Sequence, residues 1–132
     1  MDWIRKFTQK AIEPLRGAPT VRRQKTYSAQ SGHVYQYFYE GYRAITAANE
    51  YVFDVSADRR TSMPVSVIVE LAAVESWNAA HGRTLTGTEQ YAVAKLALFQ
   101  AFDEREEPSQ MSQEVRVRPA DLAAILESLD IS

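Results

Sequence analysis

The sequence contains no cysteine, and this absence excludes disulfide frameworks, thiolate nucleophiles and cysteine-based metal sites. Only two histidines occur, His33 and His81, and no HExxH pattern or paired metal-ligand spacing accompanies them. No apolar run approaches the roughly 20 residues that a membrane-spanning helix needs. The N-terminus also lacks the apolar core of a secretory signal. We therefore expect a cytoplasmic protein without a metal site, a cofactor or an integral membrane segment.

Glycine and proline are scarce, with five of each in 132 residues, and 45% of the residues are hydrophobic. This composition is typical of a globular protein and argues against disordered or low-complexity segments. The length fits one domain of ordinary size. We predict a single α+β domain over residues 23–132, preceded by a basic amphipathic helix and linker over residues 1–22.

Charge is distributed unevenly along the chain. Residues 1–25 carry seven Lys or Arg and two Asp or Glu, a net charge of +5, whereas the whole chain has a net charge of −2. The remainder therefore carries −7, so that a basic arm precedes an acidic body. The basic arm is expected to bind acidic surfaces, whereas the acidic body is expected to repel phosphate-rich partners.

Residues 2–13 have the pattern of an amphipathic helix, with apolar side chains on one half of the helical wheel and basic ones on the other. Pro14 ends the regular pattern. This arm could dock on the acidic sheet of its own domain or of a second copy, and docking is favoured over contact with an anionic membrane or with nucleic acid. Its candidate interaction residues are Trp3, Arg5, Lys6, Phe7, Lys10, Arg22 and Arg23.

Between residues 25 and 70 the apolar pattern alternates with period two, which predicts an antiparallel sheet of three to four strands. Tyr35, Tyr37 and Tyr39 share one face of the second strand, which we expect to be covered by helices. The opposite face should carry Phe38 and Tyr42 together with several acids. The other residues assigned to the covered face are Tyr51, Phe53, Val55, Val65, Val67 and Val69.

Two helices are predicted to pack on this sheet, over residues 71–81 and 87–105, and a third begins at Pro119. Thr86 and Glu89 have the spacing of a capping box at the start of the second helix. That helix is apolar on nearly every side and so must be covered on more than one side. A short edge strand is expected near residue 115.

Two candidate binding sites follow from this arrangement. A pocket between the sheet and helix 87–105 would be lined by Tyr35, Tyr37, Tyr39, Tyr91 and Lys95. The loop before that helix could hold an anion through Arg83, Thr86 and Thr88, although helix capping explains the same residues better.

The sequence shows no serine nucleophile elbow and no dinucleotide-binding glycine fingerprint, so we assign no catalytic residues. The favoured hypothesis is a non-catalytic interaction or adaptor protein that self-associates, because two apolar surfaces have no partner assigned to them. These are the half-apolar second face of the sheet and the helix over residues 87–105. One alternative is a small ligand-binding module or enzyme that uses the tyrosine-lined pocket. Another is peripheral membrane or nucleic-acid association through the basic arm.

Overall fold

Five strands form one sheet whose spatial order, β1-β2-β3-β4-β5, follows their order along the chain. A computed structural model describes residues 13–132, and it shows three α-helices and one short 3₁₀ helix beside this sheet. The strands are β1 (Lys25–Ser28), β2 (Val34–Ile45), β3 (Ala48–Ser56), β4 (Met63–Glu70) and β5 (Val115–Val117). The helices are α1 (Leu71–His81), α2 (Gly87–Glu104) and α3 (Pro119–Ser128), and the 3₁₀ helix covers Pro108–Ser112.

The α+β class is confirmed, but the prediction of three to four antiparallel strands needs correction. The first four strands are antiparallel, whereas β5 pairs with β4 in parallel, Val115 opposite Val67 and Val117 opposite Val69. A parallel neighbour requires a long crossover, because the chain must return to the starting end of the sheet. Here α1, α2 and the 3₁₀ helix form that crossover. The predicted helix over residues 2–13 lies outside the described residues, except for its last residue, Glu13.

The face predicted to be covered is the one that packs against the helices. Tyr35, Phe53 and Val67 are each fully buried there, and they belong to one core cluster with residues from all three helices. Alternation along a strand sends every second side chain to the same face, which is why the period-two pattern identified this face correctly.

A β-bulge in β2 changes this alternation. Tyr39 pairs with Phe53 and Tyr42 pairs with Tyr51, so two residues of β2, Glu40 and Gly41, occupy the space of one. The assignment of Tyr42 to the opposite face was therefore wrong. The extra residue turns Tyr42 back towards the core side, where it is partly buried.

Helix α2 is covered on several sides within the described chain. It contacts β4, β5 and α3, and the ring of Tyr27 in β1 stacks on Phe99 with centroids 4.3 Å apart. The predicted capping box is confirmed, since Thr86 Oγ1 accepts from the Glu89 amide and the Glu89 carboxylate accepts from the Thr86 amide. The all-round apolar character of α2 thus matches its surroundings.

The segment between residues 14 and 24, here called the strap, was predicted to be a linker. Its Arg16 forms two backbone hydrogen bonds of 2.8 Å with Tyr42, at the edge of β2 that β1 leaves unpaired. Gly41 permits this approach, because a Cβ atom there would lie 2.6 Å from the Arg16 carbonyl oxygen. The strap is therefore attached to the sheet beside the N-terminus of α2.

Candidate ligand-binding cleft

A cleft of about 640 Å³ lies between the strap, the covered face of the sheet and the N-terminus of α2. We call it the first cleft. Four tyrosines contribute to its wall, and Arg16 of the strap stands at its side with the guanidinium carbon 5.3 Å from the centroid of the Tyr42 ring. Its other polar groups come from Asn49, Thr88 and Gln90. The lining tyrosines are Tyr39, Tyr42, Tyr51 and Tyr91.

A second cleft of about 380 Å³ adjoins the first. Tyr39, Tyr91 and Pro19 line both clefts. The rings of Tyr39 and Tyr91 are packed together, with centroids 4.6 Å apart, and so form a shared wall. The cations of the second cleft are Arg23, Lys25 and Lys95.

Neither cleft is lined by a carboxylate, although the chain carries a net charge of −2. Four cations line the two clefts together, and none of them forms an ion pair with another residue of the range 13–132. Positive charge gathered without its counter-ions attracts anions to a concave surface. These cations are Arg16, Arg23, Lys25 and Lys95.

The hydroxyls of Tyr51 and Tyr39 in the first cleft are held in their protonated form. Burial raises the pKa of Tyr51 to about 12, and the neighbouring Tyr42 adds to this effect. Burial likewise raises the pKa of Tyr39, and charges on the neighbouring Tyr51, Tyr91 and Tyr42 would raise it further. Tyr39 and Tyr51 therefore remain hydrogen-bond donors at neutral pH.

These donors have no partners within the described chain. Tyr51 is only 4% exposed, yet its hydroxyl makes no hydrogen bond to any residue from 13 to 132. The hydroxyls of Tyr39 and Tyr91, which are partly buried, likewise make no hydrogen bond to a described residue. Tyr27 differs, because its hydroxyl donates to Asp103 Oδ2 at 2.8 Å. Among the described residues, the buried side-chain atoms without a partner are Tyr35 Oη and Gln36 Oε1, so the unpaired hydroxyls of the cleft are open to solvent and available to an acceptor-rich ligand.

Four of the five residues predicted for the pocket, Tyr37, Tyr39, Tyr91 and Lys95, line the second cleft. Tyr35 does not; it is fully buried and stacks on Phe102, with ring centroids 4.1 Å apart. The sequence reasoning missed the first cleft because the strap was interpreted as a linker. Tyr42 was missed as a lining residue because the bulge, which strict alternation does not predict, turns it to the cleft side.

Two of the three residues of the predicted anion site, Arg83 and Thr86, are engaged in hydrogen bonds with Glu89. Arg83 donates to both carboxylate oxygens of Glu89, each at 2.9 Å, and Thr86 caps α2. The bond from Arg83 is the main reason why the pKa of Glu89 falls to about 2. Thr88 instead lines the first cleft.

Most of the predicted interaction arm, from Trp3 to Lys10, lies outside the described residues. Arg22 lies on the sheet face opposite the helices, where it bonds Glu40 at 2.8 Å and Asp54 at 3.0 Å. Its guanidinium carbon is 3.7 Å from the centroid of the Phe38 ring. Arg23 points to the other side, into the second cleft.

Residues 13–132 contain no group of three or more acidic or histidine side chains placed to hold a metal ion. The two histidines contact backbone carbonyl groups, His33 that of Glu106 at 2.9 Å and His81 that of Trp77 at 3.0 Å. Within the same range, no helix has the length and hydropathy needed to cross a bilayer.

Comparison with known proteins gives no relative. No protein-family model matches the chain, and neither a curated protein nor a solved structure is significantly similar to it. The geometry of the clefts is thus the basis for any functional conclusion.

Proposed function

We propose that the protein is a binding module for a small organic anion with a planar, apolar body. The observation that carries this proposal is the lining of the two clefts, which combines aromatic rings and four unpaired cations with no carboxylate. Ligand sites of about 300–1,000 Å³ with apolar walls and a few convergent polar groups are typical of small-molecule binding. The first cleft, at about 640 Å³, falls within that range.

In this proposal the anionic group binds at the Arg16 end of the first cleft. The guanidinium of Arg16 supplies charge-assisted hydrogen bonds, and the hydroxyls of Tyr39 and Tyr51 supply neutral ones. The backbone amides of Gly87 and Thr88 lie in the first turn of α2, where the helix dipole favours negative charge. The planar body then packs against the tyrosine rings.

The proposal assigns binding and no reaction to the first cleft. No carboxylate or imidazole lines it to act as a general base. Tyr39, Tyr51 and Tyr91 have raised pKa values, so they donate protons in hydrogen bonds and do not serve as phenolate nucleophiles near neutral pH.

The test uses matched naphthalene probes, 1-naphthyl phosphate, 1-naphthoate and the neutral 1-naphthamide, with affinities measured by isothermal titration calorimetry. The two anions should bind at least about tenfold more tightly than the amide, since one charge-assisted bond contributes roughly 1.5 kcal/mol or more. Arg16→Gln should remove most of this difference. Arg118→Gln is the matched control, because Arg118 is exposed and does not line the first cleft.

Equal affinity for the amide and the anions would contradict the anion selectivity. Loss of binding in Arg118→Gln to the same degree as in Arg16→Gln would contradict the location. Failure of all three probes to bind at millimolar concentration would contradict the proposal as a whole.

Self-association, an adaptor role and contact with membranes or nucleic acid through the arm stay predictions. Self-association was predicted in part because helix α2 needed cover on several sides. In the structure β4, β5, α3 and Tyr27 of the same chain cover it. The sheet face opposite the helices is the other surface on which that prediction depended.

A further inference from the structure

A third cleft, of about 450 Å³, shares no lining residue with the first two. Two cross-strand pairs of β2 and β3 form its floor, Gln36 opposite Ser56 and Phe38 opposite Asp54. These positions alternate along the strands with residues of the covered face, so their side chains point to the sheet face opposite the helices. Arg22 of the strap and the turn after β3 form the walls.

Gln36 is a buried amide without a partner at the floor of this cleft. Its side chain is 4% exposed, and no residue from 13 to 132 forms a hydrogen bond with its Oε1 atom. The terminal torsion of a glutamine is broad, so the amide can turn either its oxygen or its NH₂ group towards the cleft. A buried polar group without a partner destabilises a fold. Its position in the cleft indicates that a ligand supplies the missing partner.

The turn after β3 carries two cations to the same cleft, Arg59 and Arg60. Asp58 holds the backbone of this turn, since its Oδ1 atom accepts the Arg60 amide at 2.8 Å. The Arg59 amide donates to Ser56 Oγ at 2.9 Å, and Ser56 is the cross-strand neighbour of Gln36. Neither arginine forms an ion pair within the described range. Two cations without counter-ions therefore lie near the unpartnered amide.

The carboxylates around the third cleft are already bonded. Asp54 lines the cleft, but it shares the guanidinium of Arg22 with Glu40, at 3.0 Å and 2.8 Å respectively. Asp58 does not line the cleft, and both its oxygens accept hydrogen bonds from its own turn. These three carboxylates balance the three arginines in charge. An anion is thus attracted by the position of the two arginines of the turn and not by a net charge.

Arg22 provides a flat surface at the wall of the cleft. Its guanidinium carbon lies 3.7 Å from the centroid of the Phe38 ring, so that one face of the guanidinium rests on this ring. The side chain remains 51% exposed, although it forms two ion pairs. Planar groups such as nucleobases stack on the face of a guanidinium. The wall therefore suits a ligand with a planar ring.

From these observations we infer that the third cleft binds a nucleoside monophosphate. The phosphate pairs with Arg59 and Arg60, and the base stacks on Arg22. The Gln36 amide bonds the edge of the base, as glutamine does when it forms two hydrogen bonds with adenine. A simple anion would leave Gln36 without a partner, and a neutral ring would leave both arginines of the turn without a counter-ion. This site is separate from the clefts of the proposed function.

Isothermal titration calorimetry with AMP and its two fragments, adenosine and ribose 5-phosphate, tests the inference. AMP should bind at least about tenfold more tightly than either fragment, because it alone engages the arginines and Gln36 together. Gln36→Met keeps the length of the side chain and removes the amide. It should weaken AMP binding at least about tenfold and leave ribose 5-phosphate binding unchanged. The double variant Arg59→Gln/Arg60→Gln should weaken binding of both phosphates and leave adenosine unchanged.

Arg16→Gln is the control for location, because the first cleft is also proposed to bind planar anions. It should leave the affinity for AMP unchanged, just as Gln36→Met should leave the affinity for 1-naphthoate unchanged. AMP binding that depends on Arg16 and not on Gln36 would place AMP in the first cleft and overturn the inference. Ribose 5-phosphate that binds as tightly as AMP would overturn it too, as would the absence of AMP binding at millimolar concentration.

The melting temperature of ligand-free Gln36→Met separates ligand recognition from a structural role. Replacing an unpartnered buried amide with an apolar group of similar size should leave the melting temperature unchanged or raise it. We therefore expect a variant that is at least as stable as the wild type and that has lost affinity for AMP. A clear fall in melting temperature would show that Gln36 has a partner in the ligand-free protein and would overturn the inference.

Discussion

Arg83 and Glu89 face each other across the turn between α1 and α2 and form two parallel hydrogen bonds of 2.9 Å. The same carboxylate accepts the Thr86 amide at 2.9 Å. One side chain therefore closes the turn and caps the helix whose first residues line the first cleft. This pairing also gives the protein a measurable response to acid.

The first prediction concerns stability at low pH. The pKa of Glu89 falls from 4.5 to about 2, chiefly because of its hydrogen bonds to Arg83. A carboxylate with a lowered folded-state pKa stabilises the fold above about pH 4.5, and this contribution is lost as the pH falls towards 2. Urea unfolding between pH 6 and pH 2 should show a shallower acid loss in Glu89→Gln than in the wild type. Parallel curves would contradict the pairing.

The second prediction concerns the bond between β1 and α2. Tyr27→Phe removes the hydroxyl that donates to Asp103 but keeps the ring that stacks on Phe99. We expect the free energy of unfolding to fall by about 1–2 kcal/mol, since the bond joins a partly buried donor to a carboxylate. Tyr27→Leu should cost more, because it removes the stacked ring as well. No loss in Tyr27→Phe would mean that the hydroxyl contributes nothing, and equal losses in the two variants would mean that the stacked ring contributes nothing.

The third prediction concerns the contact between the strap and strand β2. Gly41 has a φ of 124°, and an added Cβ would lie 2.6 Å from the backbone oxygen of Arg16. Gly41→Ala should therefore destabilise the fold by at least about 2 kcal/mol and weaken 1-naphthoate binding. Gly32→Ala is the matched control, with a φ of 95° but open space around the added atom. It should lose stability through backbone strain alone and retain its affinity.

The fourth prediction concerns alkaline pH. Burial raises the pKa of Tyr37 and of Tyr51 from 10.0 to about 12. A raised folded-state pKa means that this contribution to stability is complete below pH 10 and is lost as the pH rises towards 12. Phenolate absorbance should accordingly develop together with unfolding. Substitution Tyr51→Phe should flatten the decline; full ionisation near pH 10 in a folded protein would contradict the burial of these hydroxyls.

Local patterns predicted much of this fold. The alternation of Tyr35, Tyr37 and Tyr39 identified the buried face because side chains on a strand alternate strictly between faces. The spacing of Thr86 and Glu89 identified the start of α2, since a capping box depends on residues only three positions apart. Such signals are contained in short stretches of sequence.

Features that depend on distant parts of the chain were not predicted. The parallel pairing of β5 with β4 depends on a crossover of more than forty residues, from Leu71 to Glu114. The first cleft depends on Arg16 meeting Tyr42, and no local pattern marks that contact. Two tyrosines that were assigned to the covered face, Tyr39 and Tyr51, thus also form part of the wall of a cleft.

The extra residue in β2 has a consequence for changes in chain length. Removing Glu40 would delete the bulge, leave Gly41 alone opposite Val52 and keep Tyr42 opposite Tyr51 on the binding wall. The residues that follow would stay on their present faces, because the bulge already counts two residues as one. At this position β2 can lose one residue without exchanging its inner and outer surfaces, whereas a deletion within a regular strand exchanges them.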